Sequence, residues 1–183
     1  MHQDTSSISE APILVAMDLG ERCRECLEQA WRMAQQRGQT LIIAHVAHET
    51  VQTAGSYQRK NRGDAMLPIE EIARNLLADF VDAFIHDNPD FRTVDSRQVV
   101  VSGIPETRIP ELATLYHAGA IVIGHSQPSG IAGVLQRATG QTVLNTAPCP
   151  VFLLDGPDLV AGAEPIPSRN QQPSSLRSAL HLQ

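Results

Sequence analysis

The sequence predicts a doubly wound α/β fold: a single five-stranded parallel sheet, Rossmann-like, with helices on both faces. Two observations predict it. Five short apolar runs are each bounded by turn residues, and they alternate with stretches whose apolar positions recur at helical spacing. The runs are continuously apolar rather than alternating, as strands buried on both faces require. Strand–helix alternation of this kind specifies parallel strands joined by crossover helices. It places the domain at residues 12–155, between a flexible N-terminal tail, residues 1–11, and a disordered C-terminal tail, residues 156–183.

The first run is Ile13-Leu14-Val15-Ala16-Met17, stopped at Asp18-Leu19-Gly20. A helix is expected over residues 21–37, with Cys23, Cys26, Leu27, Ala30, Met33 and Ala34 on its apolar face and Gly38 as its stop. Leu41 to Val46 is the second strand, and the stretch to Met66 is too polar to be core. Pro68 opens a second helix at a favoured first-turn position. Its apolar face runs from Ile69 through Leu77 to Ile85, and Asn88-Pro89-Asp90 terminates it. Val94 and Val99-Val100-Val101 make the third strand region. Ser102-Gly103-Ile104-Pro105 then turns into a third helix that ends near Ala118-Gly119. Ala120-Ile121-Val122-Ile123 is the fourth strand, ending in Gly124 and a Gly/Pro/Ser-rich loop. A last helix, about Gly133 to Asn145, leads through Ala147-Pro148-Cys149-Pro150 into the fifth strand, Val151 to Leu154.

Composition narrows the function. The chain has 183 residues, 42% hydrophobic but only 4% aromatic, so the expected core is aliphatic. A net charge of −6, from 14 basic and 20 acidic residues, argues against nucleic-acid binding, which needs a basic footprint. Met1 to Thr5 carries no basic residue and no apolar segment follows, so no signal peptide is read. No apolar run approaches the ~20 residues of a membrane helix. Three cysteines without an export signal argue against a disulfide framework and place the chain in a reducing cytoplasm.

The residues together resemble the universal stress protein (UspA-like) family, over nearly the whole domain. Ile13 to Asp18 is similar to the family's first strand with its terminal Asp, and Glu21-x-Cys23-x-x-Cys26-Leu27 to its Glu-x-Ser-x-x-Ala-Leu. Leu41 to Val46, Gly103-Ile104-Pro105, Ala120 to Gly124 and Ala147-Pro148-Cys149-Pro150-Val151 follow in the family's order and spacing. The resemblance implies a stress-response module, a dimer paired through the fifth-strand edge, and, in ATP-binding members, a Gly-x-x-Gly, nine residues, Gly-Ser/Thr phosphate cradle. Counted back from Ala147-Pro148-Cys149-Pro150, the first cradle glycine is Gly124, but the second falls on Gln127, the third on Arg137 and the hydroxyl on Ala138. Gly130 stands where members often carry another glycine. A side chain where αL is needed costs roughly 1–2 kcal/mol, and a lost hydrogen bond to a charged phosphate about 1.5–3 kcal/mol. The cradle is therefore degenerate. Arg137 could itself contact a phosphate, and Thr139 could supply a displaced hydroxyl.

In open α/β sheets, ligands bind outside the carboxyl ends of the strands. Asp18, at the end of the first strand, faces the same expected crevice as Gly124. It either accepts hydrogen bonds from a nucleoside or caps the following helix, and both can hold together. The candidate binding residues are Asp18, Val46, Gly124, Gly130, Arg137 and Thr139. His45 and His48 read as a strand-end and a solvated loop histidine. Cys23-x-x-Cys26 invites a thiol-switch reading, although both residues continue the apolar stripe of their helix. Neither a zinc site nor a hydrolase triad is supported, because the third ligand and a Gly-x-Ser-x-Gly elbow are missing. The fifth strand lies at the end of the apolar sequence, and an exposed edge strand invites a second copy; the alternative is a tail folded over that edge.

The first reading is a non-enzymatic, cytoplasmic stress-response module with no bound cofactor, acting through homodimerisation and an unknown protein partner. The alternatives are a nucleotide (ATP/AMP)-binding sensor and a Cys23/Cys26 switch.

Overall fold

The structure is a computed structural model that describes residues 11–20, 23–48, 68–125 and 141–155. The expected strands form one sheet. In chain order the elements are β1 (Ile13–Met17), α1 (Cys23–Arg37), β2 (Leu41–Ala47), α2 (Ile69–Asp87), β3 (Ser96–Ser102), α3 (Pro105–Leu115), β4 (Ala120–His125) and β5 (Val151–Asp155). All strand pairs are parallel, in the order β3-β2-β1-β4-β5. β1 is central, with Ile13 beside Leu41 on one side and Ala120 on the other. The expected tails fall outside the described residues apart from Ala11, as does most of the polar stretch between β2 and α2. Of the last helix only residues 141–146 are described, and they are helical.

Strand periodicity sorts the apolar side chains onto two faces. Ile13, Val15, Met17, Leu41, Ile43, Ala120 and Val122 pack against α1 and α2. Leu14, Ile42, Ala44, Val46, Ile121 and Ile123 pack against α3 and the helical residues before β5. Each central strand is thus covered twice, which is why its sequence does not alternate.

The expectation of a purely aliphatic core is corrected. The few aromatic side chains are concentrated on the α1/α2 face. There the fully buried Trp31 lies 6.0 Å from Phe84 and 5.2 Å from Phe91, and the two Phe rings stack at 5.0 Å. Trp31, next to Ala30, widens the buried stripe of α1, while Met33 is only half-buried. Phe91 enters from a short 3-10 turn, Pro89–Thr93, which the sequence shows only as a helix stop. The same turn separates Val94 from β3, so Val94 is buried before the strand rather than within it.

Helix ends follow local chemistry. α1 closes on Gly38 at φ 63°, with the Gln39 N–H donating to the Ala34 carbonyl at 2.9 Å. α3 closes in the same manner on His117 at φ 52°, with the Ala118 N–H donating to Ala113 at 2.8 Å. That left-handed residue stops the helix at Leu115, three residues earlier than the position of Ala118 suggests.

Candidate functional site

The strand order sets the location of the site. From β1 the chain winds outward through β2 to β3, then returns to the other side of β1 for β4 and β5. The reversal lies between β1 and β4, and in sheets of this kind the ligand crevice lies beyond the carboxyl ends of the two strands that flank the reversal. Asp18 follows β1 directly, and Gly124 lies in the last turn-ward residues of β4. The topology therefore brings these two predicted residues to the switch point. Val46 lies one strand away, near the end of β2, with its side chain in the α3-side core. Gly130, Arg137 and Thr139 fall outside the described residues.

Asp18 is exposed, and its Oδ1 accepts a hydrogen bond from the Gly20 N–H at 2.9 Å. The intervening Leu19 takes φ 59°, an uncommon conformation for a residue with a Cβ. The side chain thus organises the turn after β1, a contact to Gly20 rather than the helix cap the sequence offered it, since α1 begins only at Cys23. Gly124 faces the α1 side. A Cβ added there would lie 3.5 Å from both Cβ and Sγ of Cys26, so α1 supports the strand end from below.

Two side chains at this end behave differently from their sequence reading. His45 is buried, and its Nδ1 lies 2.8 Å from the Met17 carbonyl oxygen, an arrangement in which the ring N–H donates to the chain. Burial holds its pKa below the ordinary histidine value, against the opposing pull of that hydrogen bond and of Asp18. His45 is therefore a neutral cross-strand brace. Met17, read only as the last strand residue, places its Sδ 3.5 Å from the Cys23 Sγ. No spacing rule signals that contact, because it joins a strand to the next helix.

Cys23 and Cys26 are free and both buried. Burial, with the Asp18 carboxylate adding to it, pushes the Cys23 thiol up to about 12. Burial and the neighbouring Cys23 push Cys26 up further still. Protonated, buried thiols are poor nucleophiles, which weighs against the thiol-switch alternative. Cys149, on the opposite face, is likewise buried and raised by burial to about 11. No helix among the described residues is long and apolar enough to cross a membrane.

Known proteins share this architecture and sequence pattern. Residues 11–155 match the Universal stress protein family. Universal stress protein A homolog 1 of Coxiella burnetii is 26% identical over 141 residues, covering 76% of this chain and 92% of that protein. Among solved structures, the chain is similar in fold to universal stress protein UspA from Lactobacillus plantarum, with a TM-score of 0.56 at 20% identity, covering 79% of this chain and 97% of that one. It is also similar to the universal stress protein from Archaeoglobus fulgidus in complex with dAMP, with a TM-score of 0.53 at 20% identity, covering 79% and 98%. The parallel sheet, its order and the continuous match from before β1 to the end of β5 lead to one conclusion: the chain belongs to the universal stress protein family.

Proposed function

We propose that the protein is a non-enzymatic stress-response module whose switch-point crevice retains the nucleoside end of an ATP site and lacks its phosphate cradle. The observation that carries this reading is the pairing of Asp18 and Gly124 at the switch point, followed by a loop in which Gln127, Arg137 and Ala138 replace the cradle residues. The exposed Asp18 carboxylate fits a nucleoside, offering acceptors at the crevice. The residue types after Gly124 do not fit a triphosphate held by closely approaching backbone N–H groups. The module then acts through a homodimer paired at the β5 edge and through protein contacts in the cytoplasm.

A second reading is a nucleotide sensor. The dAMP complex of the Archaeoglobus fulgidus relative favours it, since a monophosphate asks less of a cradle than a triphosphate does. Calorimetric titration with ATP and AMP decides between the two. The proposal expects no micromolar ATP binding; micromolar binding that Asp18→Ala removes would overturn it. AMP binding lost in the same variant would establish the sensor. Sedimentation of the full chain tests the dimer, which a monomer at all concentrations would exclude.

A further inference from the structure

The sulfur atoms beneath the crevice form a set that neither reading uses. Cys23 opens α1, Cys26 follows one helical turn later on the same face, and Met17 ends β1 beside them. Residues three apart on a helix are neighbours, and the Met17 Sδ to Cys23 Sγ separation is 3.5 Å, short enough for one ion to bridge the two sulfurs. Both thiols are 4% exposed and lie in one apolar cluster with Leu27. Among the described residues, no group of three His, Cys, Asp or Glu side chains is arranged to hold a metal ion. The Met17 thioether, in contact with Cys23, adds a third sulfur to the two thiols on this face of α1.

That donor set is selective. Two thiols and a thioether are soft ligands, and soft sulfur ligands favour copper(I) over harder divalent ions. We propose that Cys23, Cys26 and Met17 form a binding site for a single copper(I) ion beneath the crevice floor. Binding forms two Cu–S(thiolate) bonds, with the Met17 thioether as third donor. Each thiol releases its proton to solvent, and the copper oxidation state does not change. Burial disfavours the thiolates, so the ion must displace both protons against that penalty, as a coordinating metal does when it deprotonates a thiol. The apolar cluster covers the thiols from the core side, and the Asp18 carboxylate lies beside Cys23 on the crevice side. Since Cys26 touches the backbone position of Gly124, an ion here lies directly under the crevice. The site stands whether or not a nucleotide binds.

The test uses the full chain, reduced and free of oxygen, competing for copper(I) against a chromophoric copper(I) chelator. The expected result is one ion withdrawn per chain, with sulfur-only scattering in X-ray absorption. Cys23→Ser combined with Cys26→Ala should abolish withdrawal, a larger loss than the ~10–100-fold that an outer partner of a metal ligand causes. Cys149→Ser, on the other face of the sheet, should leave withdrawal unchanged. Met17→Leu conserves volume in the core and should weaken binding with the fold intact, which protects the test against an unfolded double variant. Failure of the wild-type chain to withdraw copper(I) would overturn the proposal. So would wild-type withdrawal by the double variant, or a Met17→Leu chain that binds as tightly as wild type.

Discussion

Gly124, at the end of β4, rests on Cys26 of α1, where an alanine methyl would stand at ordinary van der Waals distance, 3.5 Å from Cβ and Sγ. The glycine is therefore not required by that packing contact. Gly124→Ala should fold with a thermal midpoint close to wild type, whereas Gly124→Val, whose branches must enter the occupied space, should lose on the order of 1–3 kcal/mol by overpacking. Thermal melts followed by circular dichroism measure both. A Gly124→Ala chain that fails to fold would show that backbone geometry, and not ligand access, demands the glycine.

His45 gives stability a pH dependence of defined sign. Its folded pKa is depressed by burial below the ordinary value, so the unfolded chain takes up a proton more readily than the folded one. The stabilising contribution is complete above about pH 6.5, the ordinary histidine pKa, and is lost as pH falls through the depressed folded value. The slope attributable to one proton is at most about 1.4 kcal/mol per pH unit. Urea unfolding of wild type and His45→Gln between pH 5 and 8 should show this slope only in the wild type, a range set by where histidine titrates. Equal slopes in both would assign the effect elsewhere.

Trp31 is fully buried, and its indole N–H finds no hydrogen-bond partner among the described residues. Leaving a buried donor unsatisfied costs about 1–3 kcal/mol, while the ring itself is packed between Phe84 and Phe91. Trp31→Phe removes the donor and keeps an aromatic ring, so unfolding free energy should stay level or rise. Trp31→Ala should lose about 3–5 kcal/mol. A loss above about 2 kcal/mol in Trp31→Phe would mean that the larger ring's packing outweighs the orphaned donor.

The architecture was legible in the sequence because strands buried on both faces leave continuous apolar runs, and the Gly and Asp residues that stop them are equally plain. The ends of the elements were less so. His117, one of the few non-glycine types enriched in left-handed backbone but a weaker signal than glycine, stops α3, and a 3-10 turn carries Val94 out of β3. Trp31 lies four residues after Leu27 and three before Ala34, at helical spacing on the buried face, so its burial was legible in the pattern although the expected stripe left it out. Asp18 and Gly124 could be placed from topology alone, since the switch point follows from strand order. The Met17–Cys23 contact and the burial of His45 could not, because both depend on how α1 and β2 pack around the end of β1.

The central position of β1 also has a kinetic side. The first strand pairs with β2 soon after it in the chain, but its other edge waits for β4, whose Ala120 lies beyond two further helices and one further strand. Closing so long a segment is the slow event in assembling such a sheet. As the chain emerges during synthesis, β1, β2 and β3 can associate first, with one flank of β1 open. That flank is an apolar template, and an unpaired edge of this kind is where misassembly begins. The strand that sets the crevice thus stays open on one flank until β4 arrives to complete the floor of the site.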